Sequence, residues 1–103
     1  MIEKVYNMTL GNEKTIERII QDEHIHYNHM ILNKGEALPE HFSNANVYMT
    51  VLRGRLSIVL DDQFVHEYEM GSILNIPIDI KMNIRNLHQE VLELIVIKTP
   101  APK

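Results

Sequence analysis

Along this chain the apolar positions fall into short alternating runs. "VYMTVL", residues 47–52, sets Val47, Met49 and Val51 against Tyr48, Thr50 and Leu52. Both sets are largely apolar or aromatic, which predicts a strand covered on both faces. "RLSIVL" follows Gly54, and "DDQ" then predicts a turn into "FVHEY". "GSILNIP" is a short apolar run between a glycine and a proline. In "IDIKMNIRN", Ile78, Ile80, Met82 and Ile84 alternate with Asp79, Lys81, Asn83 and Arg85, the pattern of a half-buried strand. "VLELIVIK" reads as a strongly apolar strand, and upstream "HIHYNHMIL" is also strand-like.

The segment "NEKTIERIIQDE" fits two elements. Ile16, Ile19 and Ile20 make a helical stripe that Asn12 could cap, and the same isoleucines fit a strand edge. The stripe favours a short helix over 13–22. Many short strands punctuated by turns predict an all-β chain, an antiparallel sandwich or barrel. No repeat or linker interrupts the pattern, so 1–103 reads as one domain with a frayed tail over 99–103, "TPAPK".

Composition narrows the partners. The chain has 103 residues, 45% hydrophobic and 23% charged, the balance of an ordinary soluble domain. A net charge of -4 and a pI near 5.8 argue against nucleic acid, whose binding needs a basic surface. The absence of cysteine excludes disulfides and thiolate sites and fits a reducing cytoplasm. No apolar run reaches membrane-spanning length, and the first residues carry no leader pattern, so a cytoplasmic protein is expected.

Gly35, His41, Gly54, Gly71, Pro77 and Asn86 keep a spacing by which the chain, over Gly35–Asn86, resembles the cupin family, small jelly-roll barrels with two motifs. Gly35, His41 and Gly54 stand at the glycine, first histidine and closing glycine of the first motif. Ser43 stands at its second histidine and Val47 at its glutamate. Gly71, Pro77 and Asn86 match the second motif, with Asp79 at its inner glycine and Met82 at its histidine. The resemblance implies an RmlC-like jelly-roll barrel with degenerate metal-ligand positions, core motifs spanning 35–86, and pairing through an outer sheet face. Apolar second faces on "VYMTVL" and "VLELIVIK" independently suggest a homodimer.

A catalytic transition-metal site needs about three imidazole or carboxylate ligands. His41, Ser43, Val47 and Met82 offer one, so no cofactor is expected. The expectation is a metal-free small-molecule binding or accessory module, with a pocket formed by His41, Ser43, Val47, Met49 and Met82 inside the barrel. The alternative is an enzyme. It would be either a metal-dependent oxygenase or isomerase with relocated ligands, His24 and His26 with His41, or an acid–base catalyst using His41. His29 would point away from His24 and His26, and His66 and His88 read as solvated. No acid falls at a spacing that would complete a Ser–His–acid set.

Overall fold

Alternation and turn chemistry decide most of the elements. The computed structural model describes residues 1–103. It contains nine strands and no helix: β1 Thr15–Gln21, β2 His26–Leu32, β3 His41–Phe42, β4 Val47–Arg53, β5 Arg55–Leu60, β6 His66–Glu69, β7 Ile73–Ile76, β8 Lys81–Arg85 and β9 Leu92–Lys98. They form a five-stranded sheet ordered β1-β2-β9-β4-β7 and a four-stranded sheet ordered β3-β8-β5-β6. All pairings are antiparallel.

The helix expected over 13–22 is a strand. A bulge between Arg18 and Ile20 explains the misleading stripe. Ile16 pairs with Met30 and Ile20 with Tyr27, so the two isoleucines lie on opposite faces. The extra residue breaks the two-residue period and mimics a helical one.

The strands read from alternation are present, and their faces sort as the pattern requires. Val47, Met49, Val51, Met82 and Ile84 are buried in one cluster with Leu32, Leu56, Ile58, Ile76, Leu92, Leu94 and Val96, between the two sheets. Each large aliphatic side chain so buried is worth about 1.5–3 kcal/mol. The run at 78–85 is shorter as a strand than its alternation suggests. Ile78 is exposed in the turn before β8.

Two motif positions show why their backbones are special. Gly54 has φ +78°, and a Cβ there would meet the Val91 carbonyl oxygen at 2.3 Å. Asp79, at the motif's inner glycine, has φ 67°. Aspartate is among the residues that best tolerate this left-handed conformation. The backbone demand of the motif therefore persists without its glycine.

The tail is not frayed. The Thr99 amide donates to the Asn46 carbonyl at 3.1 Å and the Ala101 amide to the His24 carbonyl at 3.0 Å. No helix is long and apolar enough to cross a membrane.

Candidate functional site

The motif residues are brought together, but they form packing rather than a donor set. His41 on β3 pairs with Met82 on β8. Met82 is buried, whereas His41 is exposed at the edge of the sheet, not inside the barrel as expected. Its Nδ1 lies 2.8 Å from the Pro39 carbonyl, a hydrogen-bond acceptor. The ring therefore donates from Nδ1, and Nε2 is left to accept.

Ser43 is buried, and the protein itself uses its hydroxyl. Oγ donates to the Pro77 carbonyl at 2.6 Å and accepts from the Ile80 amide at 2.9 Å. The Ser43 carbonyl accepts from the Asp79 amide at 2.8 Å. Ser43 thus ties the first motif to the turn of the second. Val47, Met49 and Met82 belong to the closed core. The pocket expected from these five residues is not present as such.

The fit to a metal fails on donor chemistry. One exposed imidazole, a hydroxyl with both its bonds made, a valine and a methionine do not supply a zinc or iron coordination shell. No three His, Asp or Glu side chains gather as a potential ion site anywhere in the fold. The relocated set does not assemble either. His24 precedes β2 in the turn closed by Asp22, whose carboxylate accepts from the His24 and Ile25 amides at 2.8 and 3.0 Å. His26 lies on the strand proper.

A cleft of about 600 Å³ opens where the edge strands β1 and β3 of the two sheets part. Strand register arranges its wall on the five-stranded sheet in three rows. Gln21, His26 and Lys98 form the first, Arg18 and Asn28 the second, and Ile16 and Met30 the third. The wall therefore grades from polar to apolar. The opposite wall carries Leu38, Pro39, His41 and Asn44. That wall is held in place because the Gly35 amide bonds the Asn86 carbonyl at 2.8 Å and the Leu38 amide bonds the Ile84 carbonyl at 3.0 Å. Of the five expected pocket residues, His41 alone borders this cleft.

The cleft is cationic in an acidic chain. Burial, aided by the positive charge of Arg18, holds the Lys98 amine below its usual range. Lys98 Nζ donates to Asn44 Oδ1 at 3.0 Å. Asn28 is buried, and its amide oxygen has no hydrogen-bond partner. Glu17 also borders the cleft, but its carboxylate turns to the other face of β1, where it bonds Thr9 and His29.

Arg18, Asn28, Met30 and Lys98 escaped the sequence reading. A same-face reading of β2 would have joined Asn28 and Met30 to His26. Arg18 was concealed by the helix-like stripe around it.

On the outer face of the same sheet, His29 is fully buried between Glu17 and Glu93. The carboxylates meet opposite nitrogens of the ring, so they cannot share an ion with it. A second cavity of about 410 Å³ is bordered by Gly54, Arg55, Glu69 and His88. Its one arginine and its histidine are already paired. Arg55 bonds Glu69 at 2.6 Å, and His88, expected to be solvated, is half-buried and bonds Glu67.

No family model matches the sequence. The chain is 38% identical over 104 residues to an uncharacterised protein of Methanocaldococcus jannaschii, covering 100% of this chain and 90% of that one. It superposes with a TM-score of 0.96 on the crystal structure of an RmlC-like cupin family protein with a double-stranded β-helix fold from the same organism. That match is also 38% identical and covers 99% of this chain and 94% of the other. An RmlC-like cupin protein from Desulfovibrio desulfuricans superposes with a TM-score of 0.79 at 21% identity, covering 96% of this chain and 98% of the other. A cupin superfamily protein from Desulfitobacterium hafniense gives 0.75 at 16%, covering 90% and 83%. The last two matches show the fold alone. With its strand order, its motif glycines and a relative alike over nearly the full length of both chains, this chain belongs to the RmlC-like cupin family.

Proposed function

We propose that this cupin is a small-molecule binding or accessory module that works without a metal at the cupin centre. Its ligand would occupy the cleft between β1–β2 and the 38–44 segment, with His41 as a polar anchor at the rim. One observation carries the reading: the sheets part into a cleft of about 600 Å³. That size is typical of a small-molecule site. The motif positions that hold a metal in other cupins are closed here by Ser43, Val47 and Met82.

A second reading has its own support. The Pro39 carbonyl fixes His41 in the tautomer that leaves Nε2 free. His41 borders the cleft, and a free Nε2 is the atom an acid–base catalyst would use.

A small-molecule library screened by amide NMR, with elemental analysis of the untagged protein, tests the proposal. Hits that shift the amides of residues 16–18, 26–30 and 38–41, and that weaken about tenfold in His41→Ala, are expected. Hits that cluster elsewhere overturn the cleft. A stoichiometric transition metal lost in His41→Ala overturns the metal-free reading.

A further inference from the structure

The charge distribution inside the cleft points to a particular ligand chemistry. The chain carries a net charge of -4, yet the cleft gathers Arg18, Lys98 and Lys103. Arg18 has no ion-pair partner, and Lys98 is met only by the neutral Asn44 amide. The one carboxylate residue on the border, Glu17, is engaged by Thr9 and His29 on the opposite face of the sheet. Burial first, and then the positive charge of Arg18 across β2, lowers the affinity of Lys98 for its proton.

Two further features restrict the ligand. Below the cations the wall turns apolar at Ile16, Met30 and Leu38. Beside them, Asn28 is 8% exposed and its amide oxygen lacks a donor. Buried polar atoms are nearly always paired, so an orphan acceptor in register with Arg18 and one row from Lys98 marks a place for a ligand donor.

We propose that the cleft takes a small amphipathic organic anion with a hydrogen-bond donor beside its anionic group, the pattern of a 2-hydroxy acid on an apolar chain. The proposal rests on the cleft being the ligand site. The oxyanion pairs with Arg18 and Lys98, with His26 beside Lys98 in register. The adjacent hydroxyl donates to Asn28 Oδ1 after a small turn of that side chain. The apolar chain runs over Ile16, Met30 and Leu38. Arg18 and Lys98 come from β1 and β9, the two strands on either side of β2, so the site depends on the pairing of the sheet rather than on any one segment.

The test is a titration of the full chain with five probes of similar length, followed by amide NMR and calorimetry at pH 7. The probes are 2-hydroxyoctanoate, octanoate, octyl phosphate, 1,2-octanediol and 1-amino-2-octanol. The anions are expected to shift cleft amides and to bind at least fivefold more tightly than the diol. Their affinity should fall with added salt, and should fall at least fivefold in Arg18→Gln and in Lys98→Met. The hydroxy acid should exceed octanoate, and that advantage should vanish in Asn28→Leu. Octyl phosphate distinguishes the anion types: tighter binding than the carboxylates assigns the head as phosphate. Binding of the diol or the amino alcohol in the cleft as tightly as the anions overturns this inference and leaves the cleft as a site for another chemistry. Failure of every probe to shift the cleft overturns both.

Discussion

The Nε2 atom of His29 lies 2.5 Å from a carboxylate oxygen of Glu93, on the outer face of the five-stranded sheet. Nδ1 of the same ring is 3.2 Å from Glu17, so a ring carrying both protons donates to both carboxylates at once. Glu93 also accepts from Arg53 Nε at 2.6 Å. The network holds the N-terminal segment. Glu17 accepts from the Thr9 amide and hydroxyl at 2.9 and 2.6 Å, and Arg53 donates to the Gly11 carbonyl at 2.7 Å and Asn12 Oδ1 at 2.8 Å. Residues 9–12 thus cross the sheet from β1 to β4, over β2 and β9.

This network makes stability depend on pH. Burial pushes the Glu93 carboxyl up, but His29 and Arg53 together hold it below its ordinary value of 4.5. The Thr9 hydrogen bonds do the same for Glu17. A carboxylate whose folded pKa is lowered contributes stability that is complete above its unfolded pKa and is lost as pH falls through the folded one. The melting temperature should therefore hold above about pH 5 and fall below about pH 4.5. Glu93→Gln should flatten part of that fall. His29→Ala removes a fully buried ring and its hydrogen bonds to Glu17 and Glu93, and should cost about 1–3 kcal/mol, read by urea unfolding. An acid limb unchanged in Glu93→Gln would refute the assignment.

Ser43→Ala should destabilise without touching ligand binding. It removes the hydrogen bonds of the buried Ser43 hydroxyl to the Ile80 amide and the Pro77 carbonyl, at about 1 kcal/mol. For a chain of this size that lowers the melting temperature by about 4–8 °C. A loss of cleft binding at unchanged stability would instead make Ser43 a ligand contact.

The left-handed positions give opposite expectations. Gly54→Ala must push against the Val91 carbonyl 2.3 Å from the new Cβ, and should unfold the chain or cost about 2 kcal/mol or more. Asp79→Gly relieves a non-glycine residue at φ 67° and should be neutral or stabilising by up to about 1 kcal/mol. Asp79→Val should be clearly destabilising. Thermal unfolding of the three variants checks the order.

A homodimer is expected from surface that one chain leaves bare. Tyr48 and Ile73 are exposed on the outer face of the five-stranded sheet, and Ile2, Val5 and Leu10 project from the N-terminal segment on the same chain. A second copy placed across that face would cover apolar surface on both chains, worth about 25 cal/mol per Å² buried. Light scattering should give twice the 12.0 kDa chain mass. Ile73→Lys should shift it towards one chain. A single-chain mass for the unaltered protein at high micromolar concentration would count against it.

What the sequence determined by itself is local. The alternation at 47–52 and 81–85 decides which side chains are buried, because successive residues of a strand point to opposite faces. The spacing of Gly35, Gly54, Gly71, Pro77 and Asn86 carries the turns that define the fold, and Asn86 shows why its place matters. Its buried amide bonds the Leu32 and Glu90 carbonyls at 2.9 and 2.8 Å and closes the loop before β9.

What the tertiary structure decided is which segments become neighbours and where the two sheets part. The bulge after Arg18 turned a helix-like stripe into a strand, and pairing with β2 then set Arg18 beside Asn28. Lys98 stands opposite His26 across 72 residues of chain, a juxtaposition that neither segment encodes. His41 keeps the motif's spacing, yet its strand is two residues long at a sheet edge, so it reaches the rim of a cleft and not a barrel centre. The fold was legible because periodicity is a short-range property. The cleft was not, because it lies between strands β1, β2, β3 and β9, whose association depends on the packing of the whole chain.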